Sequence, residues 1–210
     1  MKCNLVNQIF KDLPLAPPLF YRWPIGIRFE LGVNYLQGDC YKGSLYLENV
    51  YERAITLFEA IFEEEDELLL VVNHLDRFRK QSFKRKFRFV EPFLIKKLSD
   101  YEVSCQVVPD VFEEESEESF PQLMMKCKRS EIKYRALIKE ICNHDMGFEK
   151  SLYHDVFFIH LKNKVIFHVY DDRGCDVIAI KADQIRFLYE RYNDWILSYD
   201  RLDINKVFLT

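Results

Sequence analysis

Long apolar runs are missing from this sequence. No segment of its 210 residues approaches the roughly 18 uncharged apolar residues that a membrane-spanning helix needs, so we expect no membrane segment. The N-terminal residues also lack the basic stretch and apolar stretch that together mark an export signal. We therefore expect a cytoplasmic protein.

Cysteine is present, but not in a metal-binding pattern. No two of the six cysteines lie two or three residues apart, which excludes the spacing of a zinc knuckle. Thiols are kept reduced in the cytoplasm, so we expect free cysteines and no disulfides. We also expect no cofactor.

Excess positive charge and recognised catalytic motifs are both absent. The chain has 34 acidic residues against 30 Lys and Arg, and the net charge of −4 gives no general reason to expect nucleic-acid binding. A Gly-rich phosphate loop, a nucleophile elbow and a metalloprotease helix signature are all missing. These absences argue against an enzyme without excluding one.

Hydrophobic residues, by contrast, are plentiful. They make up 49% of the chain and include 18 Phe and 12 Tyr, which is ample material for a core. Alternating and three-to-four-residue periodicities predict strands within 19–32, 103–108 and 155–180 and helices beginning near Asn49, Ser130 and Asp183. The continuous aliphatic run at 68–72 predicts a further strand, buried on both faces. We predict a single α+β domain over residues 1–210, with a mixed, mostly antiparallel sheet, helices packed largely on one face, and a mobile acidic loop at about 109–128.

Charged residues are most concentrated in the predicted hairpin of residues 168–180. Asp171, Asp172, Arg173 and Asp176 fall within six positions, between strongly apolar segments. Paired carboxylates at strand ends can hold a divalent cation or perform acid–base catalysis. They can equally form a salt-bridge knot that fixes the hairpin to a neighbouring element. The sequence leaves both interpretations open.

Two further groups could join this turn. Arg28 and Glu30 share one face of the first predicted strand, where they either form a surface charge pair or line a cleft. Asp200 and Arg201 repeat the Asp–Arg pairing of the turn near the end of the chain. If the protein is an enzyme, the candidate catalytic residues are Asp171, Asp172, Asp176, His168, Arg28 and Glu30.

A histidine pair is the weaker candidate for a metal site. A three-residue loop at 162–164 would place His160 and His168 as diagonal neighbours on one sheet face, roughly 7–8 Å apart between Cα atoms. Imidazole and carboxylate ligands would then come from these histidines with Asp171 and Asp172. No third candidate ligand lies at a spacing typical of a metal site, so hydrogen-bonded structural histidines are the main interpretation.

A basic and aromatic segment spans residues 77–88. Such a composition can bind RNA by phosphate contacts and base stacking, or it can be an amphipathic helix whose phenylalanines face the core. It could also meet an acidic protein. The predicted binding residues are Arg173, Asp200 and Arg201 with the basic residues of this segment: Arg77, Arg79, Lys80, Lys84, Arg85 and Arg88.

Four stretches of the sequence resemble a bacterial family, domain of unknown function 3885, which occurs mainly in Bacillus-like Firmicutes. The stretches are PLFYRWPIGIRFELG, YERAITLFE, FHVYDDRGCDVIA and LYERYNDWILSYDRLDI. The resemblance implies a bacterial source and a single cytoplasmic domain. It implies no activity and therefore no catalytic residue.

Three functions remain as hypotheses. The first is a protein-binding or inhibitory module, such as an immunity protein that neutralises a toxin, which segregated charged runs and the absence of catalytic motifs favour. The second is a metal-dependent enzyme that acts on phosphate or nucleotide substrates through Asp171, Asp172 and Asp176. The third is RNA binding through residues 77–88.

Overall fold

The apolar segments of the chain pair into one sheet. A computed structural model describes residues 4–36, 38, 41–75, 87–109, 119–144, 146, 148 and 152–209. Every pairing between its strands is antiparallel, in the order β1-β7-β6-β5-β2-β4-β3. The strands are β1 (Gly26–Glu30), β2 (Glu67–Asn73), β3 (Glu102–Pro109), β4 (Ser119–Lys128), β5 (Asp155–His160), β6 (Val165–Val169) and β7 (Gly174–Ala179).

Most helices cover one face of this sheet. The α-helices are α1 (Asn4–Ile9), α2 (Leu45–Ile61), α3 (Tyr134–Cys142), α4 (Arg186–Arg191) and α5 (Arg201–Phe208). Helices α2 to α5 pack on the face that carries Phe29, Phe167 and Val177. Helix α1 and Phe10 close a smaller core on the opposite face. The predicted α+β class is confirmed.

Two observations concern the environment of the protein. None of the described helices is both long and apolar enough to cross a bilayer. The four described cysteines are unbridged, with Cys105 exposed and Cys127, Cys142 and Cys175 buried.

The first long helix begins one turn earlier than predicted. Ser44 is its N-cap, and the Ser44 hydroxyl oxygen accepts a hydrogen bond of 3.2 Å from the main-chain N–H of Leu47. Asn49, the predicted cap, lies inside α2. Both residues can cap a helix, and the buried Leu47 and Val50 extend the apolar face of α2 past Asn49.

The predicted acidic loop at about 109–128 needs correction. Residues 119–128 form β4, which lies between β2 and β3 and buries Leu123 and Met125. Apolar side chains that reach the cores on both faces of the sheet therefore dominate the second half of this segment. The acidic residues at 110–118 lie outside the described part of the chain, as do Arg77, Arg79, Lys80, Lys84 and Arg85. Arg88 is described and exposed.

The predicted register of the β5–β6 hairpin is wrong by one residue. Phe158 lies opposite Phe167, and the loop has four residues, 161–164, closed by a 2.8 Å bond from Lys164 N to His160 O. The rings of Phe158 and Phe167 both pack against Phe58 of α2, at 5.0 and 5.8 Å between centroids. This packing outweighs the fully apolar face that a three-residue loop would give.

Candidate functional site

A cleft of about 730 Å³ opens at the end of the sheet where β1 ends and β7 begins. Both Arg28 and Glu30 line it, so they do not form an isolated surface pair. The charged turn between β6 and β7 supplies a further part of the wall. The lining residues are Pro17, Pro18, Arg28, Glu30, Gly32, His144, Asp155, Tyr170, Asp171, Arg173 and Leu197.

Arg28 and Asp176 form a buried ion pair behind this cleft. They are direct partners in the β1–β7 register. Arg28 Nε and Nη2 donate to the two carboxylate oxygens of Asp176 at 2.7 and 2.9 Å, and the main-chain N–H of Phe20 adds a 3.1 Å bond. Burial alone would lower the pKa of Arg28, but the bond to Asp176 raises it above its usual value. The guanidinium of Arg28 therefore stays charged beside this carboxylate.

Aromatic rings enclose the Arg28 guanidinium. Its central carbon lies 4.6 Å from the ring centroid of Tyr21, 5.4 Å from that of Tyr170 and 5.5 Å from that of Phe20. Such contacts favour a cation that has lost its water. Burial raises the pKa of Tyr170, so this ring keeps its proton beside the ion pair.

Asp200 is the second carboxylate beside Arg28. Its Oδ1 accepts a 2.8 Å hydrogen bond from the hydroxyl of Tyr21, and its Oδ2 lies 3.9 Å from Arg28 Nη1. The side chain of Arg201 turns away from Asp200. It donates to Asn193 Oδ1 at 2.7 Å and to the main-chain oxygens of Asn193 and Ile196 at 2.8 and 3.2 Å. Asp200 and Arg201 thus serve different contacts.

The charged turn is held by bonds within itself and to α2. The main-chain N–H and Nε–H of Arg173 each donate to Asp171 at 2.8 Å, and Nη2 also bonds this carboxylate. Asp172 accepts a hydrogen bond from the hydroxyl of Tyr46. Burial raises the pKa of Asp172, and this hydrogen bond partly opposes the rise.

Gly174 is required by the close approach of neighbouring atoms and not by a positive φ. A Cβ atom there would collide with the hydroxyl of Tyr170 and lie 2.5 Å from the main-chain oxygen of Phe29. Position 174 therefore admits only glycine where β1, β7 and Tyr170 meet.

The two histidines lie on opposite faces of the sheet, because the hairpin register differs from the predicted one. His160 stacks on Phe62, and its Nε2 lies 3.2 Å from Asp66 Oδ2. His168 stacks on Phe157, and its Nδ1 donates to the main-chain oxygen of Val156 at 2.9 Å. They cannot share a metal ion, and both have the contacts of structural histidines.

The arrangement leaves little free carboxylate for catalysis at the turn. Asp171, Asp172 and Asp176 each bond a guanidinium or a hydroxyl group of this chain. Within the described ranges, no three His, Cys, Asp or Glu side chains gather as metal ligands do. The geometry is that of an ion-pair knot that joins β1, β7 and the segment near Asp200.

Tyr21 and Tyr46 are members of this cluster that the sequence did not indicate. Tyr21 lies in the aromatic stretch before β1, and its exposure becomes known only from the structure. Tyr46 is separated from Asp172 by 126 positions, so no local pattern could join them. Tertiary structure alone brings these residues together.

Comparison with known proteins gives a family and no activity. The chain is 33% identical over 210 residues to "Uncharacterized protein YnaE" of Bacillus subtilis (strain 168), covering 93% of this chain and 98% of that protein. No solved structure matches it. Residues 3–200, which include Arg28, Asp176 and Asp200, match the family described as "Domain of unknown function (DUF3885)". The chain therefore belongs to this family, which confirms the resemblance noted in its sequence.

Proposed function

We propose that this chain is a protein-binding module of the bacterial cytoplasm, and that it acts as an inhibitory partner of the immunity type, which neutralises a toxin. Its binding surface is the tyrosine patch, which we define as Tyr21, Tyr199 and Leu202. The patch lies beside the knot of Arg28 and Asp176.

The exposure of the tyrosine patch is the observation that carries this proposal. Tyr199 is 85% exposed, Leu202 77% and Tyr21 57%. Tyr199 and Leu202 stand on either side of Asp200 in the sequence, and Tyr21 bonds Asp200 directly. Tyrosine is enriched in protein interfaces, and patches of exposed apolar side chains mark interaction sites.

The support under the patch is rigid. Tyr21 is fixed through Asp200, and Arg201 ties the start of α5 to three main-chain or amide oxygens. A rigid side chain loses little conformational entropy when it binds a partner. Tyr21 is thus preorganised for binding, and Tyr199 and Leu202 add exposed contact area.

The metal-dependent reaction on phosphate or nucleotide substrates has less support. Its three carboxylates are already hydrogen-bonded within the chain, as described above. RNA binding through residues 77–88 concerns a segment of which only Phe87 and Arg88 are described. The geometry therefore favours protein binding over the metal-dependent reaction.

The test is capture of a partner with matched variants of the full chain. We expect the tagged protein to recover a stoichiometric partner from its own bacterium, and the double variant Tyr199→Ala with Leu202→Ala to lose it. The control is Ile95→Ala with Val107→Ala, which removes two exposed apolar side chains elsewhere, one of them on edge strand β3. Loss by both double variants, or by neither, would contradict the proposal.

The inhibitory role needs a second readout. The captured partner should arrest growth when it is expressed without this chain and permit growth when the two are expressed together. Tyr199→Ala with Leu202→Ala should fail to restore growth. A captured partner that has no effect on growth would leave protein binding standing and remove the immunity role.

A further inference from the structure

His160 joins a turn and a loop that border the same cavity. It is the last residue of β5, it is only 1% exposed, and its ring stacks on Phe62 just after α2. Its Nε2 faces Asp66 in the turn between α2 and β2, and its Nδ1 faces the main chain of Asn163 in the β5–β6 loop. This turn and this loop, together with the start of α4, border a cavity of about 220 Å³.

The hydrogen bonds of His160 determine which nitrogen carries the proton of the neutral ring. The main-chain N–H of Asn163 donates to Nδ1 at 3.4 Å, so Nδ1 is the nitrogen without a proton. Nε2 then carries the proton and donates it toward Asp66 Oδ2 across 3.2 Å. The side-chain amide of Asn163 lies 3.1 Å from Nε2, and because an amide offers both an acceptor and a donor, it is compatible with either form of the ring.

Protonation of His160 affects these two contacts in opposite ways. A second proton on the ring must go to Nδ1, where it faces the N–H of Asn163 and abolishes that hydrogen bond. The contact between Nε2 and Asp66 becomes an ion pair. Asp66 Oδ2 also accepts a 2.7 Å hydrogen bond from the main-chain N–H of Glu63, which fixes the turn. The loop, and not the turn, therefore has to move.

The surroundings of His160 keep its ring neutral at pH 7. Burial has the largest effect and lowers the pKa of His160 below 6.5. Phe62 and Leu68, the partner of His160 in β2, are buried apolar neighbours. The charged groups that face the ring belong to the turn and the loop: Asp66 and Glu63 favour the protonated form, and Lys162 opposes it. The ring therefore takes up its second proton only below pH 6.5.

We propose that the β5–β6 loop is an acid-sensitive element of the fold, in which protonation of His160 at Nδ1 separates the main-chain N–H of Asn163 from the ring and moves residues 161–164 at the edge of the cavity. The 2.8 Å bond from Lys164 N to His160 O closes the hairpin and confines the movement to the loop. Neither the tyrosine patch nor the cleft takes part, so this device is independent of the proposed function.

NMR spectroscopy of the full chain tests the device from about pH 7.5 to about pH 5, the range in which histidine titrates. At the upper pH, we expect the ring ¹⁵N signals of His160 to show a proton on Nε2 and none on Nδ1. As the pH falls, the amide signal of Asn163 should shift along the same curve as the ring. The amides of β1 should not follow this curve, which shows that the sheet stays folded. A proton on Nδ1 at the upper pH, or an Asn163 amide that does not follow the ring, would overturn the proposal.

Matched variants identify the groups that respond. His160→Gln should abolish the shift of the Asn163 amide. Asn163→Ala keeps the main-chain N–H at this position, so its amide should still shift, and loss of the shift would contradict the proposed role of the main chain. Asp66→Asn removes a carboxylate that favours protonation, so the curves should move to lower pH. Asp203→Asn, an exposed carboxylate of α5, is the control and should leave them in place. Equal curves for Asp66→Asn and Asp203→Asn would contradict the contact with Asp66.

Discussion

Arg28 is the residue on which the contacts of the cluster converge. It bonds one carboxylate, faces a second and touches three aromatic rings, although it is only 8% exposed. A buried charge of this kind depends on its partner, because the energy lost with its water must be recovered locally. The stability of the site therefore depends on the charged group that pairs with Arg28.

Asp176→Asn tests this dependence. We expect the variant to lose about 3–5 kcal/mol of unfolding free energy, because Arg28 would be left buried without its counter-charge. Urea denaturation measures the change. Lys206→Ala is the control, since its ion pair with Asp203 is exposed, and it should cost less than about 0.5 kcal/mol. A loss below about 1 kcal/mol for Asp176→Asn would contradict the structure.

His160 should make the protein less stable in mild acid. Burial lowers the pKa of His160 below 6.5, and the nearby Asp66 only partly opposes this. As the pH falls below 6.5, the unfolded chain takes up a proton that the folded chain binds more weakly, so stability is lost between 6.5 and the lower folded pKa.

Two measurements check the behaviour of His160. Its NMR titration should give a pKa below 6.5, and the unfolding free energy should decrease from pH 7 to pH 5. His160→Gln should remove this part of the pH dependence. An NMR pKa above 6.5 would reverse the sign and show that Asp66 dominates over burial.

At the scale of elements, the local sequence pattern predicted strands correctly but gave the wrong register for the β5–β6 hairpin. The strands predicted at 68–72 and 103–108 are confirmed by β2 and β3. The continuous aliphatic run at 68–72 is buried on both faces of the sheet, as such a run predicts. The loop of the β5–β6 hairpin was predicted one residue too short, because the local pattern favours a fully apolar face and does not contain the packing against α2 that outweighs it. The histidine pair depended on that register and is absent for the same reason.

The last predicted helix shows a similar limit. Its buried stripe of Ile185, Leu188 and Tyr189 is present, but α4 ends at Arg191. Further on, Ile196 forms a bridge to Phe29, which extends the sheet edge beyond β1. A contact with the first strand of the fold thus interrupts a helical pattern, and no local signal carries that information.

The start of α2 offers a direct test at the scale of an element. Ser44→Ala should cost about 1 kcal/mol of unfolding free energy, because the N–H of Leu47 loses its acceptor. Asn49→Ala, inside the helix, should leave stability unchanged or raise it by a few tenths of a kcal/mol. Urea denaturation of the two single variants decides between the caps, and a larger loss for Asn49→Ala would favour the one predicted from sequence.

At the scale of the molecule, one sheet separates two cores. The larger core lies under α2 to α5, and the smaller one under α1 and Phe10. The two tryptophans report on different faces: Trp23 packs on Phe10 at 5.3 Å, and Trp195 stacks on Tyr192 at 5.0 Å. Because both cores share the same strands, we expect them to unfold together.

Single-tryptophan variants test this cooperativity. Trp23→Phe leaves only the probe of the larger core, and Trp195→Phe leaves only that of the smaller one. Phe10→Ala should cost about 3–5 kcal/mol. It should lower the urea midpoint reported by Trp195 although it lies on the other face. A shift seen by Trp23 alone would mean that the smaller core unfolds independently.

The candidate site itself could be predicted only as a set of alternatives. Arg28 and the turn of Asp171 to Asp176 were recognised as charge-rich, but an ion-pair knot and a metal site remained equally consistent with their spacing. The β1–β7 pairing decides between the ion-pair knot and the metal site, and it joins residues that are 148 positions apart. Tyr21, Tyr46 and Asp200 join the site through contacts between residues that are also far apart in the sequence.

This pairing of the first strand with the last has a consequence for synthesis on the ribosome. At about 5–20 residues per second, roughly 7–30 seconds pass between the emergence of Arg28 and that of Asp176. During that interval β1 has no strand to pair with, while β2 and the strands that follow can already form hairpins. Edge strand β1 can thus join the sheet only after β7 has emerged, and the cleft cannot form before that point.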